Sequence, residues 1–204
     1  MTTYPMTVSK SKTRDKLVDV ARQLFAKMGV ENTTMNDIAI ASRKGRRTLY
    51  TYFKSKEEIY LAAIESELEI LSDTMKQVIE KETSPDMKII KVIYTHLDAI
   101  KGVVDRNGTL RADFFRNIWK VEQVRKEFDT KEIQFFREIL QEGKEQGVFG
   151  IEDVEITATL LHYCVKGIEV PYIRGRIGEN LEPETRIKYV SNIVFGALQR
   201  HKNI

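Results

Sequence analysis

With 204 residues, 42% of them hydrophobic and 31% charged, the chain has the length and mixture of one globular domain or two small ones. Eleven glycines and four prolines are too few for a many-turned β-sandwich, and the single cysteine, Cys164, excludes an internal disulfide framework and a cysteine-only zinc site, which fits a reducing compartment. The charge divides unevenly: twelve Lys and Arg face four acids in residues 1–56 (+8), against 21 and 26 in residues 57–204 (−5), so a basic head suited to a polyanion precedes an acidic body.

No run approaches the roughly 18–20 apolar residues of a membrane span. The opening stretch MTTYPMTVSKSKTRDK lacks the apolar segment of a secretory signal. The expectation is a cytoplasmic protein that does not contact a membrane.

In chain order, Leu17, Val20, Ala21, Leu24, Phe25 and Met28 recur at the spacing of one helix face. Gly29 follows where a left-handed terminal residue belongs. Thr34-Met35-Asn36-Asp37 has the form of a capping box and opens a short helix carrying Ile38, Ala39 and Ala41. The basic cluster Arg43-Lys44-Gly45-Arg46-Arg47 leads into Thr48-Leu49-Tyr50-Thr51-Tyr52-Phe53. Ser55-Lys56-Glu57-Glu58 is a second capping box, ahead of a long helix with Ile64, Leu68, Leu71, Met75 and Val78. Thr83-Ser84-Pro85 ends it.

The helical pattern resumes with Ile90, Ile93, Tyr94, Leu97, Ile100 and Val104, and Asn107-Gly108 marks a turn. An aromatic segment follows (Phe114, Phe115, Trp119), then Phe128, Phe135, Phe136, Ile139 and Leu140 up to Gly147 and Gly150. Asp129-Thr130-Lys131-Glu132 offers a fresh helix start there, which leaves one helix or two. Residues 152–173 and 183–201 predict two more helices, with Pro171 ending or kinking the first. About nine helices and no strand make the fold class all-α.

Residues 34–53 read as two short helices joined by a tight turn, the second opening in a run of cations. That is the logic of a helix-turn-helix, in which one helix braces and the next puts its N-terminal end into the major groove. Arginine can donate in bidentate fashion to guanine, while lysines and hydroxyls hold phosphates. A basic surface turn is the bland alternative.

Thr33 to Ala63, TTMNDIAIASRKGRRTLYTYFKSKEEIYLAA, resembles the N-terminal signature of the tetracycline-repressor (TetR) family of transcription regulators. Thr34, Asp37, Ile38, Ala39, Ala41, Thr48, Leu49, Tyr50, Tyr52, Phe53, Ser55, Lys56 and Glu57 stand at matching positions. The resemblance covers about residues 13–64. It implies an all-α dimer with a three-helix DNA-binding head and a larger helical body that binds a small ligand. The divisions it implies are an N-terminal arm (1–12), a helix-turn-helix domain (13–55) and a ligand-binding and dimerisation domain (56–204). Carried over by position, Arg46, Arg47, Thr48, Tyr50, Thr51 and Tyr52 lie on or beside the recognition helix. Thr34 and Lys56 contact phosphate, and Leu49 and Phe53 pack inward.

The turn departs from the family pattern, which has Gly at the place of Arg43, an apolar residue at Lys44 and a small residue at Arg47. A left-handed Arg43 would cost ~1 kcal/mol or more, and Gly45 is the alternative carrier of that conformation. Arg43 and Lys44 join the DNA-binding candidates, and which arginine reads a base stays open.

Outside the head, His96, His162 and His201 form no metal-ligand spacing, no phosphate-cradling loop or catalytic motif occurs, and neither a metal, a cofactor nor an enzymatic activity is expected. Tyr94, Phe114, Phe115, Trp119 and Phe136 are candidate walls of a pocket for an apolar or amphipathic effector, with His96, Asp98, Arg111 and Asn117 as possible polar members. The last two helices carry the apolar sets Ile156, Leu160, Tyr163, Gly167 and Ile187, Val190, Val194, Leu198. An outer helix pair cannot bury both its faces, so Leu160, Tyr163, Gly167, Val190, Val194 and Leu198 are candidates for a homodimer interface.

These features point to a homodimeric repressor of a palindromic duplex operator, released by a small molecule. The alternative is a helical adaptor whose basic head binds RNA or an acidic protein.

Overall fold

The structure is a computed structural model that describes residues 11–106, 118–178 and 180–199. Every regular element among them is a helix, eight in all. The chain divides into two compact units, Met1–Ser66 with Arg106–Val121, and Glu67–Asp105 with Glu122–Ile204.

In the first unit, α1 (Lys12–Met28) buries Leu17, Val18, Ala21 and Phe25 along one stripe. Val20, Leu24 and Met28, expected on that face, lie half-buried at its edges. Gly29 ends the helix with φ 84° and ψ 157°. Its φ is positive as the sequence suggests, but the ψ is extended rather than left-handed helical, a combination open essentially to glycine. In α2 (Met35–Ala41) the predicted capping box is complete. The Asp37 N–H donates to Thr34 Oγ1 at 3.2 Å, and the Thr34 N–H donates to Asp37 Oδ2 at 2.9 Å.

α3 (Arg46–Tyr52) turns Leu49 fully inward, and Phe53 behind it is buried as well. α4 (Lys56–Lys81) starts at Ser55, whose hydroxyl accepts the Glu58 N–H at 3.2 Å. The Glu58 carboxylate reaches back one residue further than a capping box requires, to the Lys54 N–H at 2.6 Å. Phe25 and Tyr60 meet edge to face with centroids 6.0 Å apart. With Leu17, Ile38, Leu49, Phe53 and Ile59 they are buried in this unit. Each such side chain contributes about 1.5–3 kcal/mol on burial, enough in sum to hold three short helices that would not form alone.

The second unit comprises the rest of α4, α5 (Pro85–Arg106) as far as Asp105, α6 (Ile118–Glu145) from Glu122, α7 (Val154–Ile173) and α8 (Pro183–Ala197). Pro85 and Pro183 sit at first helical positions, where no N–H is missed. α6 is a single helix. Asp129, the first residue of the possible second start, lies within it, and Thr130 beside it donates its hydroxyl to the Lys126 carbonyl at 2.9 Å. Pro171 does not end α7 on the spot: it lies in the last turn and the helix runs on to Ile173. Met75, Ile89, Ile93, Leu97, Phe136, Ile139, Leu140, Val165 and Leu198 belong to one hydrophobic core. Against that core Phe149 packs on Gly143, where an added Cβ would lie 2.2 Å from the ring. Gly147, at φ 69°, turns the chain out of α6.

Candidate nucleic-acid interface

The turn between α2 and α3 is closed by two backbone bonds. The Arg43 N–H donates to Ile40 O and the Lys44 N–H donates to Ala39 O, both at 3.0 Å. With Ser42 as the C-cap, these are the 5→2 and 6→1 bonds of a Schellman motif, and Arg43 stands at its left-handed position. Its φ is +55°. Gly45, the alternative carrier, has φ −65° and is the N-cap of α3, so the strain falls on the arginine. A residue with a Cβ pays about 1–2 kcal/mol for this conformation.

The ten DNA-binding candidates separate by what their polar ends do. Arg43, Arg46 and Arg47 are exposed, Lys44 is half-buried, and none of the four side chains makes a hydrogen bond or ion pair with a described residue. Thr48 and the exposed Tyr50 hydroxyl are likewise uncommitted among the described residues. The remaining four are engaged within the chain. Thr34 caps α2, and Thr51 donates to Arg47 O at 3.0 Å. The hydroxyls of Tyr52 and Ser11 share a hydrogen bond at 3.1 Å. Lys56 donates to Val30 O at 2.8 Å and to Glu31 O at 3.2 Å, tying the start of α4 to the loop after α1. The thread of uncommitted cations therefore runs from the turn into the first turn of α3. Asp37, the carboxylate on α2, is held below its ordinary pKa by the Thr34 hydroxyl and N–H and is occupied by them.

Of the five candidate walls of the effector pocket, the side chains of Tyr94 and Phe136 are described, both in the second unit. Phe136 is fully buried in the core, and Tyr94 is half-buried with its hydroxyl unpartnered among the described residues. Phe114, Phe115, Arg111 and Asn117 lie outside the described residues, as does the Trp119 side chain. Asp98 accepts a hydrogen bond from the Tyr172 hydroxyl. Burial and this bond raise the Tyr172 pKa. Two open grooves, one lined by Glu138, Glu142, Glu152 and Glu155 and one by Ile133, Phe135 and Thr159, include neither Tyr94 nor Phe136.

His96 belongs to a buried ionic network that sequence reading missed. Its Nδ1 lies 2.5 Å from Glu132 and its Nε2 lies 2.8 Å from Glu169. Carboxylates only accept, so both ring nitrogens donate and the ring is an imidazolium. Burial alone would lower its pKa; Glu132 and Glu169 outweigh that and push it up to about 9. Arg125 grips Glu169 with two guanidinium nitrogens at 2.8 and 2.5 Å. Burial would raise Glu169, but Arg125 and His96 bring it down to about 2. His162 donates from Nδ1 to Glu132 at 2.6 Å, and Lys166 bridges Asp129 and Glu122 at 2.8 and 2.9 Å. His162 and Cys164, two apart, point differently: the first is buried and the second exposed. No group of three or more His, Cys, Asp or Glu among the described residues could hold a metal ion.

The dimer candidates divide between an outward set on α7 and an inward set on α8. On α7, Leu160, Tyr163 and Gly167 are exposed together with Ile156. On α8, Val194 and Leu198 (2% exposed) are buried in their own core and Val190 packs partly against it, while Tyr189 and Ile193 (74% exposed) face outward. The outward set is therefore offset by one residue from the predicted one. A Cβ at Gly167 would meet nothing within 4 Å, so nothing in the isolated chain requires glycine there.

Residues 17–63 match the family model of bacterial regulatory proteins, tetR family. The HTH-type transcriptional regulator YfiR of Bacillus subtilis is 26% identical over 161 residues, 76% of this chain and 75% of that one. The HTH-type transcriptional repressor KstR2 of Mycolicibacterium smegmatis is 29% identical over 141 residues, 67% of each. Among solved structures, a TetR-family transcriptional regulator from Pectobacterium atrosepticum superposes with a TM-score of 0.74 at 17% identity, covering 94% of this chain and 96% of that one. No helix among the described residues is long and apolar enough to cross a membrane. Residues 17–63, with their capped, basic helix-turn-helix, are a DNA-binding domain of the tetR family of bacterial regulatory proteins, and the chain is a DNA-binding transcriptional regulator.

Proposed function

We propose that the chain is a homodimeric repressor that holds a palindromic duplex operator and releases it when a small apolar or amphipathic molecule binds the body. The observation that carries the DNA half is the run of uncommitted cations, Arg43, Lys44, Arg46 and Arg47, on the turn and first turn of α3. Arg46 and Arg47 stand on the helix that enters the groove and are the candidate base readers. Repression rather than activation is the reading favoured by the similarity to a relative named as a repressor.

The dimer reading draws on Ile156, Leu160, Tyr163, Gly167, Tyr189 and Ile193, an apolar set left outward on α7 and α8. Two such helices and their two-fold copies make a four-helix bundle. Two heads would then meet half-sites one helical turn apart or a multiple of it. Effector release is assigned to residues 56–204, with residues 13–55 reading DNA. α4 carries residues of both units, so a ligand that prefers one setting of this helix changes how both heads engage at once. Such coupling is typically ~1–3 kcal/mol.

Selection of bound duplexes from a random pool tests the reading. An inverted repeat should emerge, and changing Arg46 or Arg47 to Ala should weaken binding to it by roughly 1–3 kcal/mol if that residue reads a base. Normal operator binding by the double variant would count against the assignment. Preference for single-stranded RNA over the duplex would favour the adaptor.

A further inference from the structure

Arg43 is costly to the free protein in two ways. It occupies a left-handed backbone position (φ +55°) that glycine fills without strain. It also adds a positive charge beside Lys44, Arg46 and Arg47, and Asp37, the carboxylate of α2, is already taken by Thr34. Its exposed guanidinium returns nothing to the fold, since it bonds no described residue. A strained residue with an idle charged side chain invites a functional reading.

Its place in the turn says which one. Arg43 precedes α3 by three positions, at the Schellman closure of α2. A recognition helix puts its own N-terminal residues against base edges, so a side chain standing on the turn before it meets the strand that borders the groove. Phosphate contacts of that kind orient a protein and carry no sequence information.

We infer that Arg43 is a phosphate contact of the helix-turn-helix turn, kept for duplex affinity at the expense of the stability of the head. The inference rests on the reading of this unit as duplex-binding. It makes the two properties separable by one substitution: Arg43→Gly relaxes the backbone and removes the contact together. Arg43→Lys keeps the charge and leaves the strain.

The test needs no operator, because the contact ignores sequence. The probe is a labelled random-sequence duplex of about 30 base pairs, titrated with the full chain between roughly 50 and 200 mM salt, with melting temperatures measured alongside. Arg43→Gly should melt about 2–4 °C higher than wild type. The slope of log affinity against log salt should be shallower by about 0.9 for each head bound. Its deficit should therefore be greatest at low salt. Arg43→Lys should keep the wild-type slope and melting temperature. The inference is overturned if Arg43→Gly binds with wild-type affinity and slope, if it does not melt higher, or if Arg43→Lys loses slope to the same extent. A wild-type chain that shows no salt-dependent duplex binding sinks the underlying reading instead.

Discussion

His96 and His162 share one carboxylate: their Nδ1 atoms lie 2.5 and 2.6 Å from opposite oxygens of Glu132. Three helices meet at that point, His96 from α5, Glu132 from α6 and His162 from α7. The groups facing the pair are Glu169 from α7 and Arg125, Asp129 and Glu122 from α6, with Lys166 closing the far side. Because the His96 pKa is raised to about 9, its contribution is fully present below the unfolded value near 6.5 and is lost as pH rises through about 9. Glu169, brought down to about 2, contributes above its ordinary range and loses that contribution as pH falls through about 2. Melting temperature should be highest between roughly pH 4.5 and 6.5 and should fall on the alkaline side. His96→Gln should lower it at pH 6, since breaking one partner of a buried pair costs about 3–5 kcal/mol. The gap to wild type should narrow above pH 9. A gap of constant size across that range would show that His96 does not titrate there.

Gly143 and Phe149 make a second stability site. The ring occupies the space of a Cβ at position 143, and Phe149 is itself buried. Gly143→Ala should destabilise by about 1–3 kcal/mol, the usual range of overpacking, despite the better helix propensity of alanine. Adding Phe149→Leu should recover part of the loss, so denaturant midpoints of the two single variants and the double should be non-additive.

At Lys56 the internal bonds to Val30 and Glu31 set the expectation. Lys56→Met should lower the melting temperature by a few degrees, because a hydrogen bond to a charged group contributes about 1.5–3 kcal/mol. An unchanged melting temperature with weaker duplex binding would assign the ammonium to phosphate alone.

The neighbours Ile193 and Val194 separate interface from core on α8. Ile193→Glu, at an exposed position, should leave a folded chain that sediments as a monomer and loses tight operator binding. Val194→Glu, at a buried one, should unfold the second unit, because an unpaired charge cannot be buried. Sedimentation and circular dichroism distinguish the two results. A dimeric Ile193→Glu would rule out this face.

Much of the head was legible in the residues. The capping box at Thr34 and Asp37 formed as written, and Leu49 and Phe53 turned inward. The left-handed residue was harder to place, because it is fixed by where α2 stops: with Ser42 as C-cap, the closing bonds fall on Arg43 and Lys44 and pass Gly45 by. The ionic network was hidden for a different reason. Arg125, Asp129 and Glu132 form a polar stripe on α6 that periodicity assigns to solvent, and only packing shows it to be inside. One signal was available: Ala158, His162, Val165, Glu169 and Tyr172 share one buried stripe of α7, so a histidine and a glutamate stand where apolar residues are expected. On α8 both faces are apolar, and period alone could not say whether Val194 or Ile193 faces outward.

The hydrogen bond between Ser11 and Tyr52 bears on how the protein is handled. It fastens the entry to α1 against the last residue of α3. An affinity tag or fluorophore joined directly to Ser11 in a chain shortened to that residue is delivered beside α3. An acidic or bulky tag there would compete with the duplex and distort measured affinities, whereas a small dye at the same place becomes a local reporter of DNA arrival.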